Sequence, residues 1–201
     1  MTSGEPQRRT AMSDQPSTKD LADRYRKVAA VFTARVHAVP TDAWDNPAPC
    51  DGWVARDVVG HLVEWLPAFF FHGTWQLDVA PMPSVDDDPV AAWDTLHRAL
   101  EAALNDPAVA ESERDGPMGR QTFAACLDTI GTNDVFLHTW DLARATGLDE
   151  TLDADEVHRL FVTMEPLDDV LRQSGQYGPR VAVADDADEQ TKLLAFIGRH
   201  P

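Results

Sequence analysis

Asp134, His138 and Asp141 stand at i, i+4 and i+7 in the stretch DVFLHTWDLARA, residues 134–145. A helix over this stretch projects all three from one face, which runs back through Leu127 and Gly131 and on through Ala145. Those flanking positions are apolar or small, so the face points toward a core. A carboxylate and an imidazole on such a face are costly unless each has a partner. A divalent metal ion is one partner and a dense hydrogen-bond network is another, and the spacing alone leaves both open. The i, i+4 pair places two side chains on one ion, and a third ligand must come from a different element. His61 is the candidate. Two imidazoles and one carboxylate form a ligand set for zinc, or for nickel or iron, with positions left for water or substrate.

The elements that must position these residues are helical. Ser17 and Asp20 have capping-box spacing, and Leu21, Tyr25, Val28, Phe32 and Val36 then recur at helical period. A second helix is expected from Val54 to His72, with Val58, Leu62, Trp65 and Phe69 on its apolar stripe, a bend at Pro67 and an end at Gly73. Asp88 caps a third helix with Pro89 at its first position, and Trp93, Leu96, Leu100 and Leu104 line one face. After a polar stretch at 108–119 suited to a short strand or hairpin, the fourth helix is predicted to run from about Gln121 to Thr146 and to end at Gly147. Asp153 and Glu156 open a fifth helix, which Pro166 breaks. Val181 and Val183 alternate with Ala182 and Ala184 as a weak strand signal, and Thr191 to Ile197 closes the chain as a short helix. The fold class is therefore all-α with minor β decoration, a four-helix bundle. Residues 1–16 are patternless and are expected to be a disordered tail, with 17–201 as one domain.

Composition narrows the function classes. Acidic residues outnumber basic ones 34 to 17, a formal net charge of −17. Such a field repels phosphate backbones and excludes nucleic acid as the expected partner. No apolar run approaches the roughly 20 residues needed to span a bilayer. The N-terminus shows no basic region followed by an apolar stretch, so no signal peptide is expected. Cys50 and Cys126 lie far apart, as suits a reducing cytoplasm better than a disulfide framework. Cytoplasmic location follows as the expectation. No Gly-rich phosphate loop or nucleophilic triad is present.

Three blocks carry a resemblance. Residues 50–54 (CDGWV) with 57–62 (DVVGHL) resemble the N-terminal signature of the DinB-like metal-binding helical bundles, and more closely the actinobacterial branch that includes mycothiol-dependent maleylpyruvate isomerase. Residues 134–147 resemble that branch's second signature. Residues 193–199 (LLAFIGR) are similar to the close of an uncharacterised actinobacterial subfamily of the branch. The resemblance implies a DinB-like four-helix bundle in which His61, Asp134 and His138 hold a divalent metal. The isomerase carries Glu at the acidic place, whereas this chain has the shorter Asp134, which reaches less far or binds through water.

It further implies mycothiol as cosubstrate, a small-molecule thiol or electrophile as partner, and thiol transfer or isomerisation as the reaction. A non-catalytic metal-binding or stress-response module is the alternative, and a purely structural helical protein forming a homodimer through a helix face is a third reading. Asp57 and Glu64 are candidates to accept the second N–H of His61, and Asp141 that of His138, with Arg144 as a competing ion-pair partner for Asp141. Trp53, Trp65 and Trp140 are expected to pack the core, with the lining of a ligand cleft as the sharper alternative. Cys50 reads as a small buried residue or as a reactive thiol near the start of the second helix.

Overall fold

The computed structural model describes residues 16–77, 79–116 and 119–201, so the expected tail falls, except for Pro16, outside the described residues. Helix α1 (Thr18–Ala38) starts with the expected capping box: Ser17 Oγ accepts from the Asp20 N–H, and Asp20 accepts from the Ser17 N–H at 3.0 Å. Helix α2 (Ala55–Phe69) runs into a π-turn over Phe70–Thr74. Pro67 lies inside α2 and donates no backbone hydrogen bond, and the wider i→i+5 pattern follows within one turn. Gly73 is required there, because a Cβ would come within 2.8 Å of the Ala68 carbonyl oxygen.

Helix α3 (Pro89–Asn105) begins at the Asp88 cap, and the short α4 (Pro107–Ala110) follows. Strands β1 (Glu113–Gly116) and β2 (Gly119–Thr122) then pair antiparallel, with Glu113 opposite Thr122. The expected fourth helix starts two residues later than Gln121 and is continuous to Thr146, with a π segment inside it. Helix α5 (Phe123–Cys126) passes through a π segment, Leu127–Thr132, into α6 (Asn133–Thr146). The hairpin takes Gln121 and Thr122, and the Thr122 hydroxyl caps α5 by accepting from the Ala125 N–H.

Gly147 ends α6 in the left-handed region at φ 70°, the C-terminal geometry that glycine adopts without strain. Gly147→Ala is expected to lower stability by roughly 1–2 kcal/mol, the cost of holding a Cβ in that region, read from the urea-unfolding midpoint.

Helices α1 and α2 each pack on both α3 and α6, which closes the four into a bundle. Its centre holds Tyr25, Phe32, Leu62, Leu66, Trp93, Leu96, Leu100 and Trp140, all at most 1% exposed. Phe32 meets Trp93 edge to face at 4.5 Å, and the Trp93 indole N–H donates to Thr33 Oγ1 at 2.8 Å. That bond removes the penalty of burying the polar edge of the ring.

Helix α7 (Ala154–Met164) ends in a 3₁₀ turn at Glu165–Leu167, followed by α8 (Asp168–Gln173) and α9 (Glu189–Phe196). The Val181–Ala184 stretch is not a strand. It runs as an irregular segment, with the Val181 N–H donating to the Ala195 carbonyl of α9, so no second strand is there to support the alternation. No helix among the described residues is long and apolar enough to cross a membrane.

Candidate metal centre

The neighbouring helices α2 and α6 bring the predicted residues together. His61 projects from α2, and Asp134 and His138 project from the first two turns of α6. His61 Nε2 lies 3.2 Å from Asp134 Oδ2, and His138 Nε2 lies 3.5 Å from Asp134 Oδ1. One donor atom from each of the three falls within 4.8 Å of the others. Zinc held at its usual bond lengths in a tetrahedron sets its ligand atoms about 3.3 Å apart. The donor set fits such an ion in type; the two short separations run to different oxygens of Asp134, so each imidazole nitrogen stands close to its own carboxylate oxygen.

The surroundings are built around these side chains. The Trp65 indole N–H, one turn beyond His61, donates to Asp134 Oδ2 at 2.8 Å. Trp53 lies against both imidazoles, with ring centroids 5.1 Å from His61 and 5.8 Å from His138. A tight turn presents it: the Ala48 N–H donates to the Trp53 carbonyl, and the Trp53 N–H donates to the Cys50 carbonyl. Trp53 therefore lines the cleft at the site, the second of the two roles open to it, while Trp65 packs against the core with its indole N–H turned to Asp134. Trp140 is core, with the Arg144 guanidinium 4.8 Å from its ring centroid.

Behind His138 lies a carboxylate with no exposed surface. Asp141 Oδ2 accepts from His138 Nδ1 at 2.9 Å, which turns Nε2 toward the site. Burial favours the neutral carboxyl of Asp141. The hydrogen bonds from His138 and Arg199 outweigh that penalty and hold it down to about 2. His138 is the converse case. Burial lowers it, but the charge of Asp134 and the Asp141 hydrogen bond carry it up to about 10. Burial also works to raise Asp134, and the His138 charge with the His61 and Trp65 hydrogen bonds keeps it below the usual carboxylate range. Two carboxylates flanking one buried ring call for a cation between them, whether a proton or a metal ion.

Asp57 and Glu64 do not take the roles considered for them. Asp57 accepts from the Val54 N–H at 2.8 Å and so caps α2, while Glu64 is exposed. Arg144 pairs with Glu150 instead of Asp141. The partner of Asp141 is Arg199, 58 residues away, which donates from Nε at 2.8 Å and from Nη2 at 2.9 Å. In the sequence Arg199 stands out only as the last residue of the closing block LLAFIGR. Its pairing carries no local sequence signal.

His61, Asp134 and His138 line a cleft of about 890 Å³, whose other walls include Trp53, Leu137, Tyr177, Arg180 and Val181. Residues 25–143 match the family described as the mycothiol maleylpyruvate isomerase N-terminal domain. This span is more than half of the chain and carries the three clustered side chains. The chain belongs to that family. Its all-α bundle is the DinB-like fold expected of such a member.

Two similar proteins of Mycobacterium tuberculosis, the uncharacterized proteins MT0763 (strain CDC 1551 / Oshkosh) and Rv0738 (strain ATCC 25618 / H37Rv), are each 27% identical over 181 residues. The match covers 87% of this chain and 95% of each relative. No solved structure matches the chain at significance. Membership of the mycothiol maleylpyruvate isomerase N-terminal domain family links this member to mycothiol-related proteins and leaves its own reaction to be assigned.

Proposed function

We propose that this protein binds a divalent metal ion through His61, Asp134 and His138 and acts with a low-molecular-weight thiol, mycothiol, in thiol transfer or isomerisation. The observation that carries the reading is the meeting of two imidazoles and one carboxylate from two helices at the wall of an 890 Å³ cleft. A cleft of that size holds a thiol cosubstrate together with a small electrophile. Zinc suits this ligand set with an open position, and nickel and iron share its preference for imidazole. When bound, the ion supplies a positive charge that lowers the pKa of an adjacent thiol or water.

The remaining chemistry belongs to the chain's own side chains. Asp141 keeps the proton of His138 on Nδ1, and Trp65 fixes the rotation of the Asp134 carboxylate. Trp53 covers both rings and keeps bulk water from that side of the pair. The shorter reach of Asp134 relative to glutamate is met by its place on α6, which brings both its oxygens within 3.5 Å of the imidazole nitrogens.

The test is metal content by elemental mass spectrometry on protein purified without a His-tag or chelator. Near-stoichiometric zinc, nickel or iron is expected, lost in both His61→Ala and His138→Ala. Loaded protein is then expected to consume mycothiol in the presence of maleylpyruvate or a thiol-reactive electrophile. A wild type that refuses every divalent ion would remove the metal reading. Stoichiometric metal without thiol binding or turnover would assign the binding-module alternative.

A further inference from the structure

His138 belongs to a second donor set on its other side. Cys50 Sγ, an oxygen of Asp141 and a ring nitrogen of His138 all lie within 4.8 Å of one another, and all three residues are buried. A thiolate, an imidazole and a carboxylate together suit zinc and other thiophilic ions at least as well as the His61–Asp134–His138 set. One chain thus holds two overlapping invitations to the same ion, sharing one ring.

Arg199 already occupies the second. Its Nη2 donates to Cys50 Sγ at 3.0 Å and to Asp141 Oδ2 at 2.9 Å, while its Nε donates to Asp141 Oδ1 at 2.8 Å. Both oxygens of the carboxylate are taken, and the sulfur faces a cation. Guanidinium is charged at every accessible pH and its donors match a carboxylate two by two, so no proton loss frees the place it fills. The residue follows α9 directly, just past Gly198, whose φ of 90° turns the chain there. The Arg199 N–H donates back to the Leu194 carbonyl at 2.9 Å, which anchors the backbone from which the side chain reaches inward.

We propose that Arg199 is a positioning residue for the metal centre: its guanidinium closes the Cys50–His138–Asp141 set and directs a divalent ion to the Nε2 side of His138, among His61 and Asp134. The proposal rests on the metal-binding reading above. It makes Cys50 a thiol kept out of coordination. Without the guanidinium, an added divalent ion takes its place against the sulfur, a metal–sulfur bond replacing the S–H bond as the proton passes to solvent.

The experiment uses cobalt(II), whose bonds to thiolate absorb in the near ultraviolet, added to the full chain as wild type, Cys50→Ser, Arg199→Met and Arg199→Met/Cys50→Ser. Wild type is expected to bind cobalt with no sulfur-to-cobalt band, and Cys50→Ser to bind within about twofold of it. Arg199→Met is expected to gain the band and lose it again in the double variant. Its affinity at the remaining site should fall about 10- to 100-fold, as is usual when the support behind a ligand is removed.

A sulfur band in the wild type, or a loss of about tenfold or more in Cys50→Ser, would overturn the proposal even if Arg199→Met did not fold. So would an Arg199→Met that binds like wild type without the band. A wild type that binds no cobalt at all would end the metal reading and this inference with it, whereas the preceding outcomes remove only the role of Arg199.

Discussion

Asp141→Ala is expected to lower the unfolding free energy by roughly 3–5 kcal/mol, the range for removing one partner of a buried ion pair. The carboxylate has no exposed surface, and its loss strands two groups. Arg199 loses both of its charge-assisted bonds, and His138 Nδ1 loses its acceptor. The Arg199 side chain keeps 18% exposure and recovers some hydration, which places the effect toward the lower end.

The pH dependence has a definite sign. Asp141 is held down to about 2 in the fold, below the ordinary carboxylate value near 4. Its contribution is therefore present above about pH 4 and is lost as the pH falls toward 2. Urea titrations of wild type and variant at pH 7 and pH 2.5 should show the gap between them narrowing in acid. Metal affinity should fall as well, by about 10- to 100-fold, because nothing then fixes the tautomer of His138. A variant with wild-type stability at pH 7 would mean that the cluster is hydrated and that burial does not set its energetics.

Arg24→Met is expected to destabilise the bundle by a similar roughly 3–5 kcal/mol. Arg24 projects from α1 and donates to Glu156 of α7 at 2.8 Å, to the Asp128 carboxylate at 2.7 Å, to the Asp128 carbonyl at 3.1 Å and to Asn133 at 2.7 Å. The three charged side chains are each about one-tenth exposed. Removal of the guanidinium leaves two carboxylates with Arg159 as their ion-pair partner among the described residues, at 3.3 and 3.8 Å from a side chain that is 43% exposed.

The loss has a functional side. Arg24 grips both ends of the connection into α6, at Asp128 within the π segment and at Asn133, next to Asp134. The metal affinity of the folded variant is expected to drop along with its melting temperature. Adding Asp128→Asn and Glu156→Gln to Arg24→Met should recover most of the stability, since the stranded charges are then gone. Failure to recover would show that Arg24 acts through its packing against α6 and α7 and not as a counter-charge.

Much of this was legible along the chain because it depends on neighbours in sequence. The stripes of α1 and α3, the caps at Ser17, Asp88 and Asp153, and the glycine stop at Gly147 are each set within one or two helical turns. The same locality made Asp134 and His138 recognisable as a pair and Asp141 as the support for His138. The errors also have local causes. The helix expected from about Gln121 overran the second strand of the hairpin by two residues and gave no sign of the π segment, because a widened turn leaves the apolar character of Leu127 and Gly131 unchanged. Asp57, one turn before His61, is placed to support it, but three residues after Val54 it is equally placed to cap α2, and the cap is what forms.

Composition and helical period by themselves determined an acidic all-α bundle with Asp134 and His138 on one helix face, and the resemblance of the three sequence blocks implied His61, Asp134 and His138 as the ligand set. Only the tertiary structure decided what surrounds them: Trp65 on Asp134 across two helices, Trp53 over both rings, and Arg199 arriving from beyond α9 to take both oxygens of Asp141 and the sulfur of Cys50. The physical reason is one of range. Periodicity and capping record what a residue meets within a few positions. A buried carboxylate needs a counter-charge without specifying which of the chain's cations supplies it, and packing alone makes that choice.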